Sequence, residues 1–238
     1  MSTAWAWLGA GEFLEWHREV DRELLDGRSG PVLVLATASA REGAEVYDEW
    51  TRKGLDHFSA AGIDAEAPPL RTREDAHEEV NLRALEGAAM VFFSGGNPAY
   101  LASVLADTPF WIRLRERMVD GSLAYAGCSA GVACLPEVAP DSDQQPVDES
   151  IWKPGLGVVK GAWVMPHWDM LDTYEPGLTG FITASVPDGT TMVGIDETTA
   201  MVGNGLTWRV HGEGGVHVYV VGEWTHHAAD DVFDLALA

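Results

Sequence analysis

The feature that most constrains this chain is an alternation. Short continuous apolar runs, Trp5 to Leu8, Pro31 to Thr37, Val91 to Phe93 and Leu123 to Tyr125, are separated by stretches of helical periodicity. Runs that are apolar on both faces suit central strands of a parallel sheet, and parallel strands need long crossovers. Residues 42–61 read as a helix with Val46, Trp50, Leu55 and Phe58 on one stripe. Residues 73–85, 98–105 and 109–119 read as three more. Beyond Thr191 the pattern changes to short strands: Met192 to Ile195, Ala200 to Val202, Thr207 to His211 and Val216 to Val221. Gly203-Asn204-Gly205 and Glu213-Gly214-Gly215 supply hairpin turn chemistry between them. The expected fold is α/β: a doubly wound, mostly parallel sheet with helices on both faces and antiparallel strands at one edge near the C-terminus. No repeat or linker breaks the pattern, so residues 1–238 read as a single domain. The stretch 136–154, rich in Pro, Asp, Ser and Gln without periodicity, reads as a long loop. It either borders a substrate pocket or is a disordered excursion.

Four segments carry chemistry. Gly127-Cys128-Ser129-Ala130-Gly131 follows an apolar run in the spacing G-x-S-x-G. That spacing marks a nucleophile elbow, a sharp strand-to-helix turn that holds a serine hydroxyl in the open. The bland alternative is a helix start with Ser129 as its cap. Phe93-Ser94-Gly95-Gly96-Asn97-Pro98 reads as a strand end, a glycine turn whose amides would stabilise an oxyanion, and a helix capped by Asn97. His167 ends the apolar run Trp163 to Pro166, where a strand would present it as a general base. Val193-Gly194-Ile195-Asp196-Glu197 ends a short strand in two acids, one of which would orient that base.

Taken in order along the chain, these segments resemble the dipeptidase E and cyanophycinase family of serine peptidases, which has a class I glutamine amidotransferase-like fold. Gly9-Ala10-Gly11-Glu12-Phe13 looks like the family's first strand–loop signature, and Gly194-Ile195-Asp196-Glu197-Thr198-Thr199-Ala200 is similar to its acidic segment. The resemblance implies a triad of Ser129, His167 and Glu197. It also implies an oxyanion and substrate-binding set of Gly95, Gly96, Asn97 and Ala130, with the Gly96 and Ala130 amides as the best donors. The order Ser, His, Glu departs from both the α/β-hydrolases and the chymotrypsin-like enzymes. Cys128 stands where the family commonly has an aromatic residue or threonine, and it reads as a small packed residue. Related glutamine amidotransferases use an elbow cysteine, but taking Cys128 as the nucleophile would break the glycine spacing. The implied activity is hydrolysis of amide bonds in short peptides without metal or organic cofactor. Two alternatives stay open: a catalytically inactive binding module on the same fold, and a hydrolase of the family's cyanophycin-cleaving branch.

Composition limits the partners. The formal charge is −22, from 37 acids against 15 bases. That repels nucleic acid and anionic membranes and weakly favours cationic or zwitterionic substrates. A small peptide is the expected partner, and a homodimer is left open. Two cysteines six positions apart make a disulfide framework improbable, no basic leader precedes the first apolar run, and no apolar stretch approaches about 20 residues. The expected location is the cytoplasm. His167-Trp168-Asp169 and His226-His227 are the candidate metal ligands, but no H-x-x-x-H or similar helical spacing accompanies them. Gly9-Ala10-Gly11-Glu12 lacks the third glycine of a dinucleotide loop, which Leu14 replaces.

Overall fold

A computed structural model of the chain describes residues 4–237. The first half runs β1 (Ala4–Leu8), α1 (Arg18–Leu25), β2 (Val32–Leu35), α2 (Ala44–Ala60), β3 (Ala65–Glu66), α3 (Glu79–Gly87) and β4 (Met90–Phe93). Next come α4 (Pro98–Leu105), α5 (Pro109–Val119), β5 (Ala124–Cys128), α6 (Ala130–Ala133), β6 (Val138–Pro140), β7 (Trp152–Pro154) and β8 (Ala162–Met165). The last part holds α7 (Leu171–Tyr174), α8 (Leu178–Ser185), β9 (Thr191–Ile195), β10 (Thr199–Gly203), β11 (Thr207–Gly212), β12 (Gly215–Val220), β13 (Glu223–Ala228) and β14 (Val232–Asp234).

The large sheet has the order β14-β11-β10-β1-β5-β4-β2-β3. Its β1, β5, β4, β2 and β3 are parallel, whereas β10, β11 and β14 join antiparallel beyond β1. The alternation of apolar runs and helices thus produces the expected sheet. Both of its faces are buried. On one, Trp5, Val91, Phe93 and Tyr125 pack with α4 and α5 residues such as Leu101 and Phe110. On the other, Leu8, Val34, Phe92 and Ala126 pack with Val20 and Leu24 of α1 and Phe58 of α2.

Four sequence expectations need correction. First, of the four expected late strands only the two that become β10 and β11 extend the large sheet, and β14 adds beyond them. The strands β9 and β12 form a second sheet of order β13-β12-β9-β8, in which β8 and β9 are parallel. Short strands with similar patterns do not reveal which partner they will pair with. Second, the helix expected over 73–85 divides. A 3₁₀ turn at Asp75–His77 ends at an extended Glu78 before α3 begins. The Asp75 carboxylate accepts the Arg71 and Thr72 amides and fixes the turn there. Third, the stretch 136–154 is neither a bare loop nor a disordered excursion. Strands β6 and β7 pair into an antiparallel ribbon, with a 3₁₀ turn at Glu149–Ile151 leading into β7. The Asn97 side chain holds the ribbon's tip by donating to Asp141 and Asp143. Fourth, on α2 the buried positions are Tyr47, Gly54, His57 and Phe58, so the stripe is rotated from the expected one. Among the described residues, no helix is long and apolar enough to cross a membrane.

Candidate active site

Every segment singled out in the sequence reaches the C-terminal ends of strands, where open α/β sheets bind ligands. At the end of β5, Ser129 adopts φ 51°, ψ −107°. Such a conformation costs a non-glycine residue about 1–3 kcal/mol and persists only where the surroundings enforce it. Here the enforcement is backbone proximity. A Cβ on Gly127 would lie 2.3 Å from the Gly131 carbonyl oxygen, and one on Gly131 would lie 2.6 Å from that of Phe93. The two glycines of G-x-S-x-G therefore let the elbow fold back on itself and against β4. The Tyr125 hydroxyl, buried in β5, donates to the Gly131 carbonyl at 2.6 Å and holds the turn closed. Ser129 makes no side-chain capping bond, which removes the helix-cap alternative.

The Ser129 Oγ instead lies 2.9 Å from His167 Nε2, and His167 Nδ1 lies 2.7 Å from Glu197 Oε1. His167 follows β8 and has φ 54°; Thr198, next to Glu197, has the same φ. Strained backbone thus accompanies all three members of the constellation. The loops are tied together: the Trp168 amide donates to the Ile195 carbonyl at 3.0 Å, and the Glu197 amide donates to Asp169 Oδ1 at 2.8 Å. Tyr174 of α7, a residue the sequence reading did not include, donates its hydroxyl to Glu197 Oε1 and sets its ring against that of His167. Burial works against the Glu197 charge, but the bonds from Tyr174 and His167 hold its carboxyl below the usual range. The same bond to Glu197, with some burial, pushes the Tyr174 hydroxyl up to about 12. The neighbouring Asp196 points elsewhere, to the Gly215 amide and His217.

The four residues of the expected oxyanion set divide. The Gly96 and Ala130 amides have no acceptor among the described residues. The Gly95 amide is occupied by Glu12 Oε1 at 3.1 Å, and the Asn97 amide by the Ala38 carbonyl at 2.9 Å. Asn97 caps α4 through Tyr100, as its position before Pro98 suggests, and its own side chain serves the ribbon tip. Gly95 and Asn97 are thus shaping residues rather than free donors. Glu12, quoted in the sequence only as part of the first strand–loop signature, turns out to be a second residue of this constellation. Its other oxygen accepts the Cys128 thiol at 3.0 Å, so it ties the loop after β1 to both the elbow and the glycine turn. Burial and the Glu12 charge push the Cys128 thiol well above its ordinary range, which makes it a poor nucleophile.

Two cavities meet at Ser129. One, of about 490 Å³, runs under the ribbon and has an apolar wall of Ile151, Trp152, Met165, Leu178 and Ile182. The other, of about 370 Å³, is lined by Glu12, Glu42, Trp50 and Asp143 as well as Gly95 and Gly96. Neither lining contains a Lys or Arg among the described residues.

Comparison with known proteins decides the family, since the model of peptidase family S51 matches residues 13–210. The chain belongs to peptidase family S51. It is a serine peptidase, in line with the resemblance read from its motifs. The chain is similar to the cyanophycinase of Trichormus variabilis, with 28% identity over 227 residues, 92% of this chain and 74% of that protein. It is 32% identical over 152 residues to the cyanophycinase of Synechococcus elongatus, 61% of this chain and 46% of that one. The crystal structure of a peptidase from an acI-B1 Actinobacterium superimposes with a TM-score of 0.88 at 27% identity, covering 99% and 98% of the two chains. A putative peptidase E protein from Listeria monocytogenes shares the fold, with a TM-score of 0.61 at 15% identity over 97% of this chain and all of that one.

Proposed function

We propose that this S51 peptidase hydrolyses short peptides through an acyl-enzyme on Ser129, with His167 as the base and Glu197 as the residue that orients it. The observation that carries the reading is the hydrogen-bonded line from Glu197 Oε1 through the His167 ring to Ser129 Oγ, at 2.7 and 2.9 Å, opening onto a cavity. Glu197 accepts from Nδ1–H, which leaves the Nε2 lone pair facing the hydroxyl. As Oγ attacks the scissile carbonyl carbon, Nε2 takes its proton, and the Gly96 and Ala130 amides receive the developing oxyanion. The imidazolium then protonates the leaving amine as the C–N bond breaks. Water, deprotonated by the same nitrogen, attacks the acyl ester and releases Ser129. A fluorophosphonate probe tests this. One equivalent should bond to Ser129, labelling should vanish in Ser129→Ala, and it should slow sharply in His167→Ala. An unlabelled wild type would instead favour the catalytically inactive binding module.

The cavity chemistry favours a substrate with a cationic end. Recognition of an aspartyl side chain calls for Arg or Lys, and neither lines the site. Burial and the nearby Asp143 charge push the Glu42 carboxyl up, and a substrate ammonium would counter the repulsion between the two acids. In a panel of dipeptides, those with a basic or neutral N-terminal residue should outrun those with an acidic one. Faster cleavage of N-terminal aspartyl dipeptides would reverse this assignment. The cyanophycinase-like reading is the second candidate, supported by the similarity to proteins of that name. Turnover of the aspartyl–arginine polymer beside the dipeptide panel separates the two. A cytoplasmic location is part of the proposal, because both cysteines are free and buried, which suits a reducing compartment.

A further inference from the structure

Away from the active site, His17 and Asp21 form a pair of metal-ligating residue types at helical spacing. They stand four residues apart at the entrance to α1 and so share a helix face. Folding brings His57 of α2 to the same point, inside the layer between these helices and the sheet. His17 and Asp21 are wholly buried and His57 is 6% exposed. His17 Nδ1 faces Asp21 Oδ1 at 3.2 Å, and His57 Nε2 faces Asp21 Oδ2 at 2.6 Å. Donor atoms of all three residues lie within 4.8 Å of one another. His17 Nε2 is buried without a hydrogen-bond partner, and His17 Nδ1 and Asp21 Oδ1, though 3.2 Å apart, are not aligned for a hydrogen bond with each other. Unsatisfied buried polar atoms are rare in native proteins and often mark an ion or water. The surroundings offer no relief: the rings of Phe13, Phe58 and Phe92 pack against the two imidazoles.

We propose that His17, Asp21 and His57 form a structural site for one divalent transition-metal ion, with Zn²⁺ as the expected occupant. Imidazole nitrogen and carboxylate oxygen are among the donors this ion takes, at about 2.0–2.2 Å. A bidentate Asp21 with the two imidazoles supplies four donor atoms from three residues. The ion replaces the poorly aligned contact between His17 Nδ1 and Asp21 Oδ1 with a bond to each. It displaces the proton shared between His57 and Asp21, and the His57–Asp21 contact opens by roughly half an ångström to reach the donor spacing these bond lengths require. The site ties α1 to α2 across the sheet face that carries Phe92. Enclosure makes exchange slow, so the ion enters as the chain folds.

The test is metal analysis of the full chain expressed in zinc-supplemented medium, together with refolding of denatured protein in Co²⁺. About one equivalent of zinc per chain should resist EDTA in the native state and be released on unfolding. The Co²⁺-refolded protein should show the visible d–d bands of a four-coordinate nitrogen–oxygen site. Asp21→Asn and His57→Gln should lose the ion, whereas the double variant His217→Ala/His226→Ala, which removes a half-buried and an exposed histidine of the second sheet, should keep it. Zinc retained by both buried variants would place the ion elsewhere and overturn the proposal. Where a buried substitution prevents folding, the wild type decides alone. Metal-free protein from supplemented medium, with no Co²⁺ bands on refolding, would mean that Asp21 holds only a proton between the two rings.

Discussion

Two adjacent acids at the end of β9 each hold a histidine, and the pairs differ in what lies beyond the ring. Glu197 holds His167, whose far nitrogen meets the Ser129 hydroxyl. Asp196 holds His217 at 3.0 Å and accepts the Gly215 amide at 2.9 Å, but no nucleophile follows. The Glu197 side chain is 31% exposed, whereas that of Asp196 is 12% exposed. The chain turns at Glu197 and Thr198 directly after β9, so the two neighbouring carboxylates leave in different directions, one to the cavity at Ser129 and the other to β12. An acid–histidine pair alone is thus a structural element. The Glu197 pair differs in that a strained elbow brings the Ser129 hydroxyl to the second ring nitrogen of its histidine.

The largest expected effect removes that hydroxyl. Ser129→Ala should lower turnover of any good dipeptide substrate by on the order of 10⁶ while circular dichroism stays native. Near wild-type turnover would erase the difference between the two pairs. Next comes the acid swap. Glu197→Gln should cost up to about 10⁴ in kcat where the His167 tautomer is lost, and Asp196→Asn should leave kcat nearly unchanged. The reverse ranking would make Asp196 the orienting acid.

Stability should rank them the other way. Asp196→Asn weakens a buried acceptor that serves two donors, a cost of about 1–3 kcal/mol. Burial raises the Asp196 carboxyl, but the bonds from His217 and Gly215 outweigh it and hold the carboxyl below its usual range. A depressed folded pKa stabilises above the unfolded carboxyl's range, and this stabilisation is lost as pH falls through the folded value. The gap in Tm between wild type and Asp196→Asn should therefore be widest near neutral pH and close in acid. A gap that widened in acid would contradict the pairing. The smallest effect is at Tyr174→Phe. Tyr174 is 58% exposed and supplies one of the bonds to Glu197, so kcat should fall on the order of tenfold or less. Losing that donor raises the Glu197 carboxyl, so the acid limb of the pH–rate profile should move to higher pH. An unmoved limb would leave Tyr174 as a wall of the cavity only.

Much of the large sheet was legible because its strands are continuous apolar runs that a helix or turn must follow. The helices at Pro98–Leu105 and Pro109–Val119 match the expected limits, since each begins with a capping residue before proline. Glu12, Tyr174 and the His17–Asp21–His57 cluster were less legible. Glu12 and Tyr174 act through contacts 83 and 23 residues away, on Gly95 and Glu197. His17 and Asp21 left a local trace in their four-residue spacing, but the third member lies 36 residues beyond Asp21.

What the sequence by itself determined is whatever short-range chemistry enforces: the strand-to-helix elbow at Gly127–Gly131, the glycine turn at Gly95-Gly96 and the cap at Asn97. Each follows from sterics or hydrogen bonding within a few residues. Only the tertiary structure decided that β8 and β9 leave the large sheet for a second one, carrying His167 and Glu197 to Ser129 from the side. It likewise decided that the Gly95 amide is taken by Glu12 while those of Gly96 and Ala130 stay open. Strand partners and amide acceptors are chosen among distant segments of similar apolar character, and burial and fit settle that choice once the chain is compact.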